Sequence, residues 1–206
     1  MISTDPFSSI PDALEAFARG EVLVVVDDEK RENEGDLVFA ADFVTPEKIN
    51  FMIACGRGLV CTPLTRSQAQ KLDLPLMVEK LEDSHATAFT VSIDAKVGTS
   101  TGISAHDRFL TTQLLTSPEA KAADFVRPGH IFPLIAKDAG VLERPGHTEA
   151  AVDLCKLSKL NPIAVICEVL NEDGTCARLP ELINFAREHG LKLITIEDLI
   201  AYRKSL

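Results

Sequence analysis

The sequence predicts an α+β (mixed α/β) fold: a single three-layer domain over residues 1–206 in which a mixed, twisted sheet is covered by helices. Apolar runs typical of buried strands alternate with helical patterns, and some neighbouring strands are close enough in sequence to form hairpins. A chain of 206 residues can bury one core, and no linker-like or repetitive segment divides it. One domain is therefore expected.

Helices are expected where apolar residues recur with helical spacing between capping signals. Their expected positions are residues 10–20, a helix opening at Thr45, a helix from Ser104 through Leu114, and residues 148–157, 180–190 and 197–204. The Thr45-Pro46 pair is typical of a helix start, because the hydroxyl caps the first turn and proline suits the first helical position. Ser104 with Asp107 three residues later is a second such start, and Gly20 is a typical helix end.

Strands are expected at seven apolar runs: residues 22–26, 37–43, 58–61, 87–93, 131–136, 163–170 and 192–196. The run "VLVVV" at 22–26 is continuous and β-branched, which is typical of a strand buried on both faces. The run "TAFTVSI" alternates instead, so Phe89, Val91 and Ile93 are expected on one face. The tetrapeptide "NEDG" at 171–174 predicts a turn.

Composition and charge are those of a soluble globular protein, and they exclude several partners. Hydrophobic residues make up 46% of the chain and charged residues 25%, close to the usual mix. The net charge of −10, without a basic stripe, argues against nucleic acid and an anionic membrane as partners. No apolar run reaches the ~20 residues of a membrane span, and the N-terminus lacks the pattern of a secretory signal. A cytoplasmic location is expected.

The five cysteines agree with that location. Their number is odd and no C-x-x-C pair occurs, so neither a disulfide framework nor a zinc knuckle is indicated. Buried free thiols are the expected state of these residues. Cys61 stays a candidate site residue, because it closes the apolar run "GLVC", where a strand end would present its thiol at a rim.

The stretch "DDEKRENEGD" at residues 27–36 follows the first expected strand and holds six carboxylates in ten residues. Such density costs stability by mutual repulsion unless the groups face solvent or are neutralised by a cation or by arginine. The pattern alone leaves a solvated loop and a binding site equally open. It does not match the EF-hand calcium loop, and the chain has no Walker A sequence and no complete dinucleotide-binding motif.

The tetrapeptide "RPGH" occurs twice, at residues 127–130 and 144–147. A strand-like run follows the first copy and a helical pattern follows the second. A loop that ends in Gly-His-Thr at a helix start leaves backbone amides unpaired, and with Arg144 these could receive a phosphate. For the tetrapeptide alone, a structural turn is the simpler interpretation. If this loop and the acidic loop share a sheet edge, carboxylates and His147 could hold a divalent cation that also meets a phosphorylated substrate.

Five motifs, in order along the chain, resemble the signatures of one family. They are "DDEKRENEGDL" (27–37), "STGISAHDR" (100–108), "RPGHIFPL" (127–134), "RPGHTEAAVDLCKL" (144–157) and "ICEVLNEDG" (166–174). The family is 3,4-dihydroxy-2-butanone 4-phosphate synthase, and the resemblance covers nearly the whole chain. It implies conversion of D-ribulose 5-phosphate to L-3,4-dihydroxy-2-butanone 4-phosphate and formate in riboflavin biosynthesis, with Mg²⁺ and without a nucleotide. It also implies a homodimer with active sites at the subunit interface.

The resemblance further implies individual site residues. The family's metal ligands fall on Glu32 and His147, and two positions essential for catalysis fall on His130 and Glu168. Glu34 and Cys61 are further catalytic candidates at the rim of the site. The expected substrate contacts are Arg31, Asp36, Thr101, Asp107, Arg144, Pro145, Gly146, His147, Thr148 and Glu168. The remaining acidic-loop carboxylates, Asp27, Asp28 and Glu29, are expected to face mainly solvent.

The implied chemistry explains these residue types. Removal of a proton beside a ketone needs a positioned base and a cation that stabilises the enediolate. Mg²⁺ prefers near-octahedral oxygen coordination, and Mn²⁺ is an alternative because one expected ligand is a histidine. Two features depart from relatives of the family. Ala86 stands where glycine is usual, and no cysteine-rich cluster of a GTP cyclohydrolase II domain is present, so a monofunctional enzyme is expected.

Two other functions remain open at this point. Another metal-assisted sugar-phosphate isomerase or aldolase could use the same residue types, and its products would not include formate. A non-catalytic module could bind a cation or a basic partner through the acidic loop. Such a module would give no role to Arg144, Gly146 and Thr148.

Overall fold

The computed structural model describes residues 6–79 and 87–206, so Ala86 lies outside the described residues. Within them are seven α-helices and seven strands, which alternate except where β1 is followed directly by β2. The helices are α1 (Ile10–Ala18), α2 (Pro46–Phe51), α3 (Arg66–Lys71), α4 (Ala105–Thr116), α5 (His147–Leu157), α6 (Leu179–Glu188) and α7 (Ile196–Lys204). The strands are β1 (Leu23–Val26), β2 (Gly35–Ala40), β3 (Cys61–Leu64), β4 (Ile93–Ala95), β5 (Phe125–Ile135), β6 (Ala164–Glu168) and β7 (Lys192–Thr195).

The seven strands form one mixed sheet in the order β4-β5-β3-β6-β2-β1-β7. Two pairs are parallel, β1 with β7 and β3 with β5. The other neighbours are antiparallel, including β1 with β2 across the acidic loop. The predicted mixed sheet is therefore confirmed, with the acidic loop as the connection of a hairpin.

Hydrophobic residues cover both faces of this sheet and form two separate clusters. One cluster joins Val24 and Leu37 to side chains of α2, α3, α4 and α6. The other joins Val25 and Val38 to side chains of α1, α5 and α7. Because successive side chains of a strand point to opposite faces, these clusters are the two interfaces of a helix–sheet–helix sandwich. The predicted three layers are confirmed.

The capping signals in the sequence are used as predicted. The Thr45 hydroxyl accepts a hydrogen bond from the Lys48 amide, and the Ser104 hydroxyl accepts one from the Asp107 amide. Gly20 follows α1 with a φ of +85°, a left-handed conformation that glycine adopts without strain. Helix α3, which the sequence analysis did not predict, begins with a capping box between Thr65 and Gln68.

Two predicted strand boundaries are wrong. The strand expected at 37–43 runs over Gly35–Ala40, and Ala41–Phe43 is a 3-10 turn, because the Ala41 amide donates to the carbonyl of Ile163 and the Val44 amide turns back to Ala41. The strand expected to close at Cys61 begins there instead, where Cys61 pairs with Phe132 of β5 and Ile166 of β6.

The alternating run at 87–93 also differs from its prediction. Phe89 and Thr90 form only isolated bridges, and the regular strand begins at Ile93. Thr90 and Ser92 are buried, whereas Phe89 is half-buried. The polar residues turn inward because both are satisfied there: the Thr90 hydroxyl donates to the Pro133 carbonyl, and the Ser92 hydroxyl accepts from the Gly129 amide.

The first "RPGH" copy is a bulge inside β5 and not a loop before it. Val126 pairs with Asp94 and Ile131 pairs with Ile93, so residues 127–130 stand out between two adjacent pairs of the β4–β5 ladder. A Cβ on Gly129 would lie 2.0 Å from the Ile93 carbonyl carbon, so glycine is needed for the close approach of the strands. The bulge redirects the His130 side chain, as bulges near functional sites often do.

Candidate active site

The acidic loop and the second "RPGH" loop meet at one edge of the sheet. Asp36 and Glu168 are direct cross-strand partners of β2 and β6. They lie on the same face as Val38 and Ile166, which pack in the cluster with α5. Helix α5 begins at the same edge. The Nε2 atom of its first residue, His147, lies 3.1 Å from the carbonyl oxygen of Val25 in β1.

Asp27 organises the acidic loop from within. Its carboxylate accepts hydrogen bonds from the backbone amides of Glu32 and Glu34 and from the guanidinium of Arg31, at 3.1, 2.8 and 2.8 Å. The side chain of Asp27 is fully buried. The expectation that Asp27 faces solvent is therefore wrong, since three local donors hold its carboxylate inside the loop. Asp28 and Glu29 are exposed as expected.

His147 directs one ring nitrogen at the carboxylates. Because a carbonyl oxygen only accepts hydrogen bonds, the contact with Val25 assigns the N–H to Nε2. The other nitrogen, Nδ1, lies 3.9 Å from Oε2 of Glu32 and 3.9 Å from Oδ1 of Asp36. When a cation displaces the Nδ1 proton, His147 presents a lone pair to the acidic side of the site, the arrangement that a metal-binding histidine needs.

The pKa values at this edge are strongly shifted. Burial alone would lower the pKa of His147, but the charge of Asp36 and the interaction with Glu32 raise it to about 9. The interaction with His147 lowers the pKa of Glu32 to about 2 against the opposing effect of burial, and Arg31 adds to that lowering. Burial raises the pKa of Asp36 to about 7, with His147 opposing the rise. Perturbed carboxylates and imidazoles of this kind cluster at functional sites.

Asp27, Glu32 and His147 form a candidate cation site. Each offers one ligand atom, and these atoms lie within 4.8 Å of one another. Two carboxylate oxygens and one imidazole nitrogen suit a divalent ion of the Mg²⁺ and Mn²⁺ class, with positions left for water and substrate oxygens. The expected ligands Glu32 and His147 are thus brought together, and Asp27 joins them.

Two guanidinium groups lie beside this cluster, at the start of α5. Nitrogen atoms of Arg144 and Arg31 lie 2.3 and 3.1 Å from the point that a Cβ of Gly146 would occupy. A side chain at this position would displace the Arg144 guanidinium. Arg144 is buried, and its guanidinium donates to Glu149 at 2.6 Å and to the Thr87 hydroxyl at 3.0 Å. Positive charge next to a helix N-terminus favours an anion.

The other residues of the second "RPGH" loop differ in exposure. Thr148 is buried in the first turn of α5, whereas Pro145 is exposed. Gly146 is the N-cap of α5 and makes no side-chain cap, so amides of the first turn lack the partner that a serine or threonine would supply. This is the structural basis for an anion receptor at the loop.

Glu168 pairs with Asp36 from β6, and Cys61 lies one strand further along the sheet, on β3. The Glu168 carboxylate accepts a hydrogen bond of 2.7 Å from the Leu59 amide. Cys61 is buried, and burial, with the charges of Glu168 and Asp36 adding to it, raises the pKa of its thiol above the usual range. The thiol is thus neutral. The Glu34 carboxylate interacts with the thiol of Cys176.

His130, Thr101 and Asp107 form a second group. The Nδ1 atom of His130 lies 2.7 Å from the Asp94 carboxylate. Asp107 accepts hydrogen bonds from Ser100 and from the Gly102 amide, and these bonds hold the pKa of Asp107 below its usual value. Thr101 is the exposed tip of that loop.

The structure thus gathers the expected residues into two groups. Among the described residues, no recorded hydrogen bond or ion pair links the His130 group to the acidic-loop group. Sequence reasoning missed Asp94 and Glu149, the carboxylate partners of His130 and Arg144. Glu149, in the first turn of α5, could have been suspected from its place after "RPGHT". Asp94 sits in an ordinary strand pattern and gave no signal.

The fold and the site define a class: a three-layer α+β protein with a candidate divalent-cation site beside a helix start suited to an anion. Residues 11–202 match the family model of 3,4-dihydroxy-2-butanone 4-phosphate synthase. The chain belongs to this family.

Curated relatives and solved structures agree with that match. The riboflavin biosynthesis protein RibBA of Bacillus cereus (strain B4264) is 61% identical over 198 residues, covering 96% of this chain and 50% of the relative. The chain therefore spans about half the length of such relatives. A crystal structure of 3,4-dihydroxy-2-butanone 4-phosphate synthase in complex with two magnesium ions superposes with a TM-score of 0.92 at 47% identity, covering 97% of this chain and 98% of that one. RibBX, a two-domain 3,4-dihydroxy-2-butanone 4-phosphate synthase from A. baumannii, has a TM-score of 0.91 at 49% identity, covering 95% and 58%.

Proposed function

We propose that the protein converts D-ribulose 5-phosphate to L-3,4-dihydroxy-2-butanone 4-phosphate and formate, a lyase reaction of riboflavin biosynthesis. One observation carries this proposal: the cation cluster of Asp27, Glu32 and His147 borders the Arg31 and Arg144 guanidinium groups. A phosphorylated sugar needs a receptor for its phosphate and a cation for its carbonyl and hydroxyl oxygens, and the two lie side by side in a chain of this family.

Glu32 and His147 are the residues that would hold Mg²⁺, with Asp27 as a third candidate ligand and Mn²⁺ as an alternative ion. Bound there, the ion supplies positive charge that stabilises negative charge developing on substrate oxygens when a proton beside the ketone is removed. A related synthase was crystallised with two magnesium ions, which supports this choice of metal. The Val25 carbonyl fixes the ring of His147 so that Nδ1 faces the cluster.

The phosphate is assigned to the loop formed by Arg144, Pro145, Gly146, His147 and Thr148, together with Arg31. Asp36 and Glu168, side by side on β2 and β6, are placed to orient hydroxyl groups or to move protons during loss of water and skeletal migration. Glu34 and the neutral thiol of Cys61 are proposed to complete the rim. His130, with Thr101 and Asp107 near it, is proposed as a second acid or base on the substrate.

A homodimer with active sites at its interface would unite the two groups of residues. Apolar side chains are exposed next to the His130 group: Val97 is 85% exposed, Ile103 54% and Val126 42%. Exposed apolar residues gathered in one region mark interaction surfaces. A second copy that packs on this region would place a His130 group close to the interface.

No helix among the described residues is long and apolar enough to cross a membrane. The free cysteines support the proposed cytoplasmic location.

The function is tested by incubating the purified protein with D-ribulose 5-phosphate and Mg²⁺ and measuring formate. We expect formate release that stops on addition of a chelator and returns with Mg²⁺ or Mn²⁺. A folded, metal-loaded protein that consumes the sugar without formate would instead be an isomerase or aldolase. Cation binding that is independent of any sugar phosphate, without turnover, would point to a non-catalytic module.

Variants of the cation ligands make the same test specific. Glu32→Gln and His147→Ala are each expected to lower kcat by at least about 10²-fold, because each removes a donor of the ion that the reaction needs. Glu29→Gln removes an equal charge from an exposed position of the same loop and should keep wild-type turnover. Full activity in either ligand variant would refute the cation site.

A further inference from the structure

Asp94 contacts His130 at two points, the backbone amide and the imidazole ring. One carboxylate oxygen of Asp94 accepts a hydrogen bond of 2.9 Å from the His130 backbone amide, and the other lies 2.7 Å from Nδ1 of the imidazole. The Asp94 side chain is only 8% exposed, whereas that of His130 is 40% exposed. A buried carboxylate therefore holds one edge of a ring that is itself partly exposed.

The surrounding backbone packs closely against the Asp94 and His130 side chains. A Cβ on Gly102 would lie 2.0 Å from the Asp94 carboxylate and 2.4 Å from Nδ1 of His130, so the loop at 100–102 closes over the contact. Asp107, at the start of α4, fixes that loop through its hydrogen bonds to Ser100 and Gly102. From behind, the β5 bulge fixes the His130 backbone against β4.

We propose that Asp94 is the positioning residue for His130, which it holds in the tautomer with the proton on Nδ1 and the Nε2 lone pair presented to the substrate. A carboxylate offers only acceptors, so both groups that face it must be donors: the backbone N–H and the Nδ1–H. The other ring nitrogen, Nε2, is then the atom that takes up or returns a proton. This inference rests on the proposed function, in which His130 acts on the substrate, and it adds the group that orients it.

The substitution Asp94→Asn would favour the opposite tautomer of His130 and therefore tests the proposal. The amide oxygen of an Asp94→Asn side chain would continue to accept from the His130 backbone, and its NH₂ group would then face Nδ1. Because NH₂ only donates, the neutral ring must place its proton on Nε2. The shape of the site is kept while the reactive atom is blocked, the same substitution logic that the serine-protease triad illustrates.

The tautomer is measured directly by nitrogen NMR on the full-length protein. Spectra of the wild type are expected to show the neutral His130 ring protonated on Nδ1, and spectra of Asp94→Asn to show it protonated on Nε2. His130→Gln assigns the signal among the five histidines. A wild-type ring protonated on Nε2 overturns the proposal, and this measurement does not depend on catalytic activity.

Turnover supplies the second readout. Asp94→Asn is expected to lower kcat by about 10²- to 10⁴-fold, the usual contribution of a positioned acid or base, with a much smaller change in KM. Asp138→Asn, which removes a carboxylate that is 77% exposed, is the matched control and should match the wild type. An inverted tautomer with kcat within about twofold of wild type overturns the role of Asp94. If the wild type itself releases no formate, the proposed function fails, while the nitrogen spectra still decide the pairing.

Discussion

At the scale of single residues, Asp27 shows how a carboxylate can shape a site that it also joins. Its oxygens accept from the amides of Glu32 and Glu34, so the backbone beyond β1 curls around it. Glu32 is thereby turned toward His147. Asp27 folds the loop and also brings a second carboxylate oxygen to the candidate cation site.

We therefore expect Asp27→Asn to weaken Mg²⁺ binding by about 10- to 100-fold, the usual effect of losing a group that orients metal ligands. Calorimetric titration of the protein with Mg²⁺ and Mn²⁺ measures it. Asp28→Asn is the control, because that side chain is exposed and accepts only from the nearby Lys30 amide. Equal affinities in the two variants would show that Asp27 is structurally incidental.

The sequence predicted the residue types of the site better than their environments. Glu32 and His147 lie close together, as a shared cation site requires. The burial of Asp27 follows from a loop that folds back on itself over several residues, and periodicity carries no information about that. The contact between Asp94 and His130 could not be predicted either, because 36 residues separate them and a bulge brings them together.

At the scale of elements, the β5 bulge depends on the absence of a side chain at Gly129. A Cβ there would meet Ile93 and the Asp94 amide at 2.0 and 2.3 Å. These are backbone atoms of the neighbouring strand, which cannot move without breaking the β4–β5 ladder. The bulge thus couples the strand pairing to the position of His130.

Gly129→Ala is expected to lower stability by about 1–3 kcal/mol through overpacking, which for a chain of this size lowers Tm by about 2–4 °C per kcal/mol. It should also reduce formate production, because His130 shifts with the strand. Calorimetry and the formate assay measure the two effects. Gly190→Ala is the control: nothing lies within 4 Å of its Cβ, and its φ of +64° predicts a modest loss of stability with normal activity. Normal stability and activity of Gly129→Ala would contradict this account.

Elements whose signals lie within a few residues were predictable, whereas those set by distant partners were not. The helix starts at Thr45 and Ser104 follow from local hydrogen bonds. The end of β2 at Ala40 depends on a bond to Ile163, and the inward turn of Thr90 depends on Pro133. Both partners belong to other parts of the sheet, which a linear pattern cannot place.

At the scale of the whole molecule, apolar side chains around Val97 and Ile103 are exposed to solvent, and we expect a partner to cover them. A second copy would bury it, and the proposed dimer would bring together residues that a single chain keeps in two groups. Solubility and activity would then both depend on the same surface.

We expect Ile103→Asp and Val97→Asp to shift the protein from dimer to monomer in sedimentation experiments, since a buried unpaired charge opposes association. Formate production should fall with the dimer fraction and recover at higher protein concentration. Leu206→Asp is the control, because it places the same charge on another side chain that is 78% exposed. A fully active monomer would rule out active sites shared between subunits.

The buried carboxylate of Asp153 ties the last helix to the anion-binding loop. It accepts from the guanidinium of Arg203 in α7 and from the Val141 amide at 2.9 Å. The turn that contains Val141 leads directly into Arg144. Helix α7, far along the chain from every proposed ligand, therefore supports the loop that we propose as the phosphate receptor. If a fused segment or a bound partner displaced α7, the ion pair between Arg203 and Asp153 would transmit the movement to the proposed phosphate-binding loop.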